Sequence, residues 1–207
     1  STGVGCQGML IDRCQFLSAE DALTVPNRSS IALNTNANDV KLRDCRATKF
    51  RHFALLAGGN SIVTGNHFFQ GDSVESGVRS AGLILASAHT SAVVTGNYVD
   101  NCFIEWTNEH DSAPDFSNEH TFGGLTVTGS IFTVNNSADW FRFIVIKPHG
   151  PGHYIHGLTV SDNVFKALNV RIDRVDKVDT SISTLDEGLY RNITFDGNSF
   201  NSVDQAT

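Results

Sequence analysis

The sequence predicts an all-β chain that winds as a single right-handed parallel β-helix of about seven stacked rungs with variable inserted loops. Three observations predict it: a short segment that recurs along the chain, an asparagine that returns at one place in that segment, and a composition suited to strands and turns.

The recurring segment reads apolar-x-apolar, a small or polar pair, Asn, any residue, then an apolar or aromatic residue. Clear copies are Ile62-Val63-Thr64-Gly65-Asn66-His67-Phe68, Val93-Val94-Thr95-Gly96-Asn97-Tyr98-Val99 and Thr159-Val160-Ser161-Asp162-Asn163-Val164-Phe165. Thr194-Phe195-Asp196-Gly197-Asn198-Ser199-Phe200 is another, and Thr126 to Phe132 carries Ser130 in place of Asn. Two weaker copies put Cys14 and Cys45 at that place. The intervals from Cys14 to Asn198 are 31, 21, 31, 33, 33 and 35 residues, which reads as a short rung carrying loops of changing length. One rung cannot bury its own apolar face, but rungs stacked about 4.8 Å apart make parallel sheets with a continuous core. Asparagines at one turn then lie above one another and hydrogen-bond as a ladder. Ser130 fits that ladder with one bond fewer, and Cys14 and Cys45 fit as buried free thiols, too far apart in neighbouring rungs for a relaxed disulfide.

Each turn is followed by a further strand with period two. The segments are 53–56, 82–85, 103–106, 141–146 and 169–173. No long segment holds a period of 3.6, so a helical reading fails. An antiparallel sandwich also uses many short strands, but aligned Asn turns are not expected there.

Composition agrees. The 207 residues suit one domain over 1–207, and the opening at Ser1-Thr2-Gly3 reads as a fragment or C-terminal part of a longer protein. Apolar residues make up 40%, with 18 glycines, 4 prolines and 1 methionine, a mixture for strands and turns. No run of eighteen apolar residues exists, so no membrane span is expected. The net charge of −7 and the lack of a basic run argue against nucleic acid as a partner. The four cysteines contain no CxxC pair, which argues against a zinc or redox motif.

The Thr-Gly-Asn-x-apolar turns at 64–68 and 95–99, Asp162-Asn163-Val164-Phe165 and Gly197-Asn198-Ser199-Phe200 make the chain resemble the pectate-lyase-like superfamily, from about Gly8 to Ser202. That superfamily includes pectate lyases, polygalacturonase-type glycoside hydrolases and bacteriophage tailspikes. The resemblance implies the fold, and it implies a polysaccharide or cell-surface glycan as partner, at an extracellular or virion surface. The Asn-Thr-Asp and Asp-Asp pairs of polygalacturonases are absent, and His149 in Pro148-His149-Gly150 is only a faint echo of their Gly-His-Gly. No calcium cluster of the pectate-lyase kind is visible, and no cofactor is expected.

Candidate chemistry lies at Glu105-Trp106-Thr107-Asn108-Glu109-His110-Asp111. Glycoside hydrolysis needs two carboxylates, one as acid and one as base or nucleophile. Glu105 is the candidate acid or base, with Glu109 or Asp111 as its partner. Trp106 is a candidate sugar platform, although strand alternation sets it with Ile104 toward the core and sets Glu105 outward. The same alternation predicts Arg142 and Arg171 beside Glu105, orienting substrate, and His149 is a further substrate-binding candidate from its faint likeness to the Gly-His-Gly. A surface ion-pair ladder is the competing account of that stripe. His149, His153 and His156 lie close in sequence without a metal-ligand spacing, so no metal is expected. Lys147 and the run 173–179 read as solvated loop.

The same count sets Leu56, Ile84, Phe103, Ile144 and Ile146 outward, a patch that loops or other subunits must cover. This predicts a homotrimer, as in tailspikes. The expected activity is therefore hydrolysis or β-elimination of a glycan. The alternative is a non-catalytic receptor-binding or structural module of a trimeric phage-like spike, and a third reading is an epimerase on the same scaffold.

Overall fold

The computed structural model describes residues 7–18, 31–48, 50–69, 81–86, 91–107, 120–135, 141–147, 153–178 and 190–203. The first rung runs β1 (Leu10–Asp12), β2 (Gln15–Leu17) and β3 (Ile31–Thr35). The second runs β4 (Lys41–Arg43), β5 (Arg46–Thr48) and β6 (His52–Leu56), and the third β7 (Ser61–Thr64), β8 (His67–Phe69) and β9 (Ala81–Leu85). The fourth has β10 (Ala92–Thr95), β11 (Tyr98–Asp100) and β12 (Phe103–Thr107). The fifth has β13 (His120–Thr128), β14 (Ile131–Val134) and β15 (Ile144–Lys147). The sixth has β16 (His153–Ser161), β17 (Val164–Ala167) and β18 (Asp176–Val178), and β19 (Tyr190–Asp196) and β20 (Ser199–Asn201) follow.

The strands fall into three sheets. The first strands of the rungs form one seven-stranded sheet, the second strands another, and the third strands a six-stranded one. Every pairing is parallel. The described residues contain no helix. A chain that visits three parallel sheets in turn has the strand order of a parallel β-solenoid, and an antiparallel sandwich is excluded.

The repeat now has a structural meaning. Its apolar-x-apolar part is a strand of the first sheet, and its last part is a strand of the second. Between them the residue before the ladder position has positive φ in every rung: Arg13, Asp44, Gly65, Gly96, Gly129, Asp162 and Gly197. Glycine takes that left-handed conformation without steric penalty and Asp tolerates it, which accounts for the recurrent Gly or Asp before Asn.

The next residue carries the ladder. The backbone N–H of Cys45 donates to Asn66 Oδ1 at 2.9 Å, that of Asn66 to Asn97 Oδ1 at 2.9 Å, and that of Asn97 to Ser130 Oγ at 3.1 Å. Ser130 N–H donates to Asn163 Oδ1 at 3.0 Å, and Asn163 N–H to Asn198 Oδ1 at 3.0 Å. Side-chain amides also bond along the column, Asn66 Nδ2 to Asn97 Oδ1 and Asn163 Nδ2 to Asn198 Oδ1, both at 3.0 Å. Every ladder amide also donates to a carbonyl of the preceding rung; at Ser130 the second column bond is missing, and Asn97 Nδ2 donates, besides to Val63, to the Thr95 carbonyl of its own rung. Cys45 is buried and free, but Cys14 is exposed, because no rung among the described residues stacks outside the first.

Inward residues of neighbouring rungs are in register. Leu42, Val63, Val94, Val127 and Val160 form one fully buried column of the first sheet. Phe68, Val99, Phe132 and Phe165 form one of the second, with Phe132 and Phe165 stacked at 4.9 Å. Each such side chain contributes about 1.5–3 kcal/mol on burial.

Candidate functional site

The third sheet positions the acidic residue singled out above. Register places Leu83, Ile104 and Ile144 in one column and Leu85, Trp106 and Ile146 in the next one along, all inward. The intervening residues, Leu55, Ile84, Glu105 and Val145, form the outward column. Glu105 is therefore outward, yet only 6% exposed. Trp106 is fully buried on the core side.

Several register expectations are corrected. Ile144 and Ile146 pair with Ile104 and Trp106, so they face inward and Val145 takes the place beside Glu105. Leu56 likewise joins the inward column of Leu85. The cause is local. The N–H groups of Phe143 and Ile144 both donate to the Val175 carbonyl, at 2.9 and 3.1 Å, and this irregularity shifts the count by one. The strand beside β15 is β18, not 169–173, where only Ile172 bridges, to Val203. Arg142 thus lies before β15, partly buried and ion-paired with Asp173, and Arg171 lies exposed outside the sheet. Neither shares a column with Glu105. Leu56, Ile84, Phe103, Ile144 and Ile146 are all buried within the single chain, so no exposed apolar patch exists at them. Glu109, Asp111 and His149 lie outside the described residues.

The structure adds two neighbours to Glu105. Thr107 pairs with Lys147 at the ends of β12 and β15, and Thr107 Oγ1 donates to the Lys147 carbonyl at 3.1 Å. Thr107 is fully buried and Lys147 is 9% exposed, a strand end and not a solvated loop. Three polar residues, Glu105, Thr107 and Lys147, thus occupy adjoining outward positions of two neighbouring strands. A carboxyl there can move a proton, and an ammonium beside it can neutralise an acidic group. Period two already aligned Glu105 with Thr107; Lys147 was hidden because its parity depends on the irregularity at Phe143.

A second group of polar and aromatic side chains stands on the outward face of the second sheet. Arg46, His67 and Tyr98 follow one another across β5, β8 and β11. The rings of His67 and Tyr98 meet edge to face with centroids 4.8 Å apart, and His67 lies 6.0 Å from the ring of Phe69. Asp100 accepts a 2.9 Å hydrogen bond from Thr133 Oγ1 on β14. Burial first, and then the Arg46 charge, hold the His67 imidazole below its ordinary pKa, while the Asp100 charge pulls the other way. His67 Nε2 is buried without a hydrogen-bond partner. Sequence reasoning missed this group because its members are spread over rungs and belong to no motif.

Among the described residues no group of three or more His, Cys, Asp or Glu gathers as a metal site, and no helix is long and apolar enough to cross a membrane. No family model, no curated protein and no solved structure matches this chain.

Proposed function

We propose that this chain is a polysaccharide-engaging, right-handed β-helix similar to the pectate-lyase-like superfamily, and that it shortens a surface glycan by hydrolysis or β-elimination. The right-handed sense rests on the strong chiral preference of parallel crossovers. The reading places it at an extracellular or virion surface. The observation that carries the activity is Glu105, a carboxyl held among Leu55, Ile84 and Val145 in an otherwise apolar outward column. Even a partnered buried carboxyl stabilises no more than a well-packed apolar residue, so a strand that needed only packing would carry an apolar residue instead. Glu105 serves as acid or base, Lys147 neutralises an acidic sugar or an anionic intermediate, and Glu109 or Asp111 supplies the second carboxyl.

The test is size-exclusion chromatography of capsular and plant polysaccharides after incubation with the protein, which detects hydrolysis and elimination alike. Shortened chains are expected, together with their loss in the near-isosteric variant Glu105→Gln. Unreduced cleavage by that variant removes Glu105 from the mechanism.

The low exposure of Glu105 favours a second reading, a non-catalytic receptor-binding module of a trimeric spike, in which the buried carboxyl is structural. That reading expects a trimer in sedimentation and no shortening of any glycan. A chain that stays monomeric at high concentration counts against it.

A further inference from the structure

We propose that the outward face of the second sheet, from His67 to Lys166, is a binding track for a neutral polysaccharide chain lying across the strands, with Tyr98 as its aromatic platform. This rests on the glycan-engaging reading above but not on any chemistry at Glu105, which stands on another sheet.

The track has two lanes set by register. Tyr98, Ile131 and Val164 are direct neighbours on β11, β14 and β17, and they remain 39%, 41% and 37% exposed. Asp100, Thr133 and Lys166 are direct neighbours on the same three strands, two residues further along, with Asp100 and Lys166 half-buried and Thr133 between them buried. An apolar lane therefore runs beside a polar lane over three rungs spaced about 4.8 Å apart, the scale of one sugar ring. A pyranose has the same division, with C–H groups on its faces and hydroxyls around its edge. Exposed apolar residues in a row on a sheet otherwise edged with polar groups mark an interaction surface.

Its first rung is held in place. The Tyr98 ring rests edge-on against His67, which also packs near Phe69, and Tyr98 N–H donates to the Asn66 carbonyl at 2.8 Å. Asp100 is held by Thr133, so its carboxylate is oriented before a ligand arrives, and a carboxylate accepts more than one hydrogen bond from a sugar's hydroxyls. Charges alternate along the face, with Arg46 before His67, Asp100 on the first rung of the track and Lys166 on the third. A polyanion would meet Asp100 on the first rung of the track, and a chain of net charge −7 repels it further. Alternating charge suits a neutral ligand rich in hydroxyls.

The full chain is tested for retention on immobilised β-glucan, mannan, xylan, dextran and polygalacturonate. Wild type should bind at least one neutral polymer, and Tyr98→Ala should weaken that binding about tenfold, the scale of one lost aromatic contact. Tyr98→Phe should retain it, since the platform needs the ring. Ile131→Lys, at an exposed position, repeats the test if Tyr98→Ala melts early, and Val93→Ala on the first sheet should bind as wild type. Binding by Tyr98→Ala and Ile131→Lys within twofold of wild type overturns the proposal. So does wild-type binding to polygalacturonate alone, or to nothing. Unchanged shortening and unchanged affinity in Tyr98→Ala overturn this site while leaving Glu105 in its role. Tyr98-dependent binding without shortening supports this site and removes the catalytic role of Glu105.

Discussion

The side-chain oxygen of Asn97 accepts two hydrogen bonds from Asn66 on the preceding rung, one from its backbone N–H at 2.9 Å and one from its side-chain amide at 3.0 Å. Asn97 Nδ2 in turn donates to the Val63 carbonyl of that preceding rung at 2.9 Å and to the Thr95 carbonyl of its own strand at 3.1 Å, so one buried amide ties the turn to both. Truncation strands these partners away from water. Asn97→Ala should cost about 2–4 kcal/mol, from the loss of buried hydrogen bonds whose donors stay unsatisfied. Chemical denaturation of the variant checks it, and a loss under half a kcal/mol would contradict the role given to the ladder.

The reverse change is available at the one interruption between asparagines. Ser130 accepts from Asn97 N–H but not from its side-chain amide. Ser130→Asn should restore that bond in a column already spaced for Asn, and should stabilise by about 0.5–1.5 kcal/mol. A raised melting temperature is the expected readout.

The left-handed residues before the ladder are not equivalent. At Gly96 an added Cβ meets nothing within 4 Å, so Gly96→Ala should cost only the backbone penalty, about 1–2 kcal/mol. At Gly65 a Cβ would lie 2.4 Å from Asp44 Oδ1, so the carboxylate must move as well. Gly65→Ala should therefore be the more damaging of the two in parallel melts.

His67 makes stability depend on pH. Its folded-state pKa lies below the ordinary 6.5, chiefly through burial, with Arg46 adding to the effect and Asp100 opposing it. The groups around it are Arg46, Phe69, Tyr98 and Asp100. As pH falls through 6.5 the unfolded chain takes up the proton first, so the native state loses stability until the folded pKa is passed, and regains it as pH rises. His67→Gln should flatten that segment of the stability curve measured between about pH 7 and 5. An unchanged slope would show that another group carries it.

The cysteines should separate by reactivity. Burial pushes the Cys102 thiol far up, and it is the leading cause of the rise at Cys45. Cys14 is exposed. Among the described cysteines, alkylation of the native chain followed by peptide mass spectrometry should label Cys14 before Cys45 and Cys102, which react only on unfolding.

Much of the solenoid was legible before any coordinates. Val63, Val94, Val127 and Val160 stand at one place in each repeat, and so do Asn66, Asn97, Asn163 and Asn198, because a stacked rung forces equivalent positions to make equivalent contacts. The inward place of Trp106 followed from alternation with Ile104. The positions of Arg142, Arg171 and Lys147 did not, because they follow loops of unequal length and a shared carbonyl at Val175 that slips the count by one. In a strand, a slip of one residue exchanges core and surface.

The sequence by itself therefore determined the repeat, the parallel stacking it demands and the Asn column, since the same few residues recur in every turn and stacking sets equivalent turns above one another. Tertiary structure alone decided which side chains meet between rungs outside that repeated turn. It covered Glu105 and set it near Thr107 and Lys147, and it brought Tyr98, Asp100, Thr133 and Lys166 onto one face. Such neighbours are separated by about thirty residues in the chain and about 4.8 Å across a sheet, and only register converts the first distance into the second.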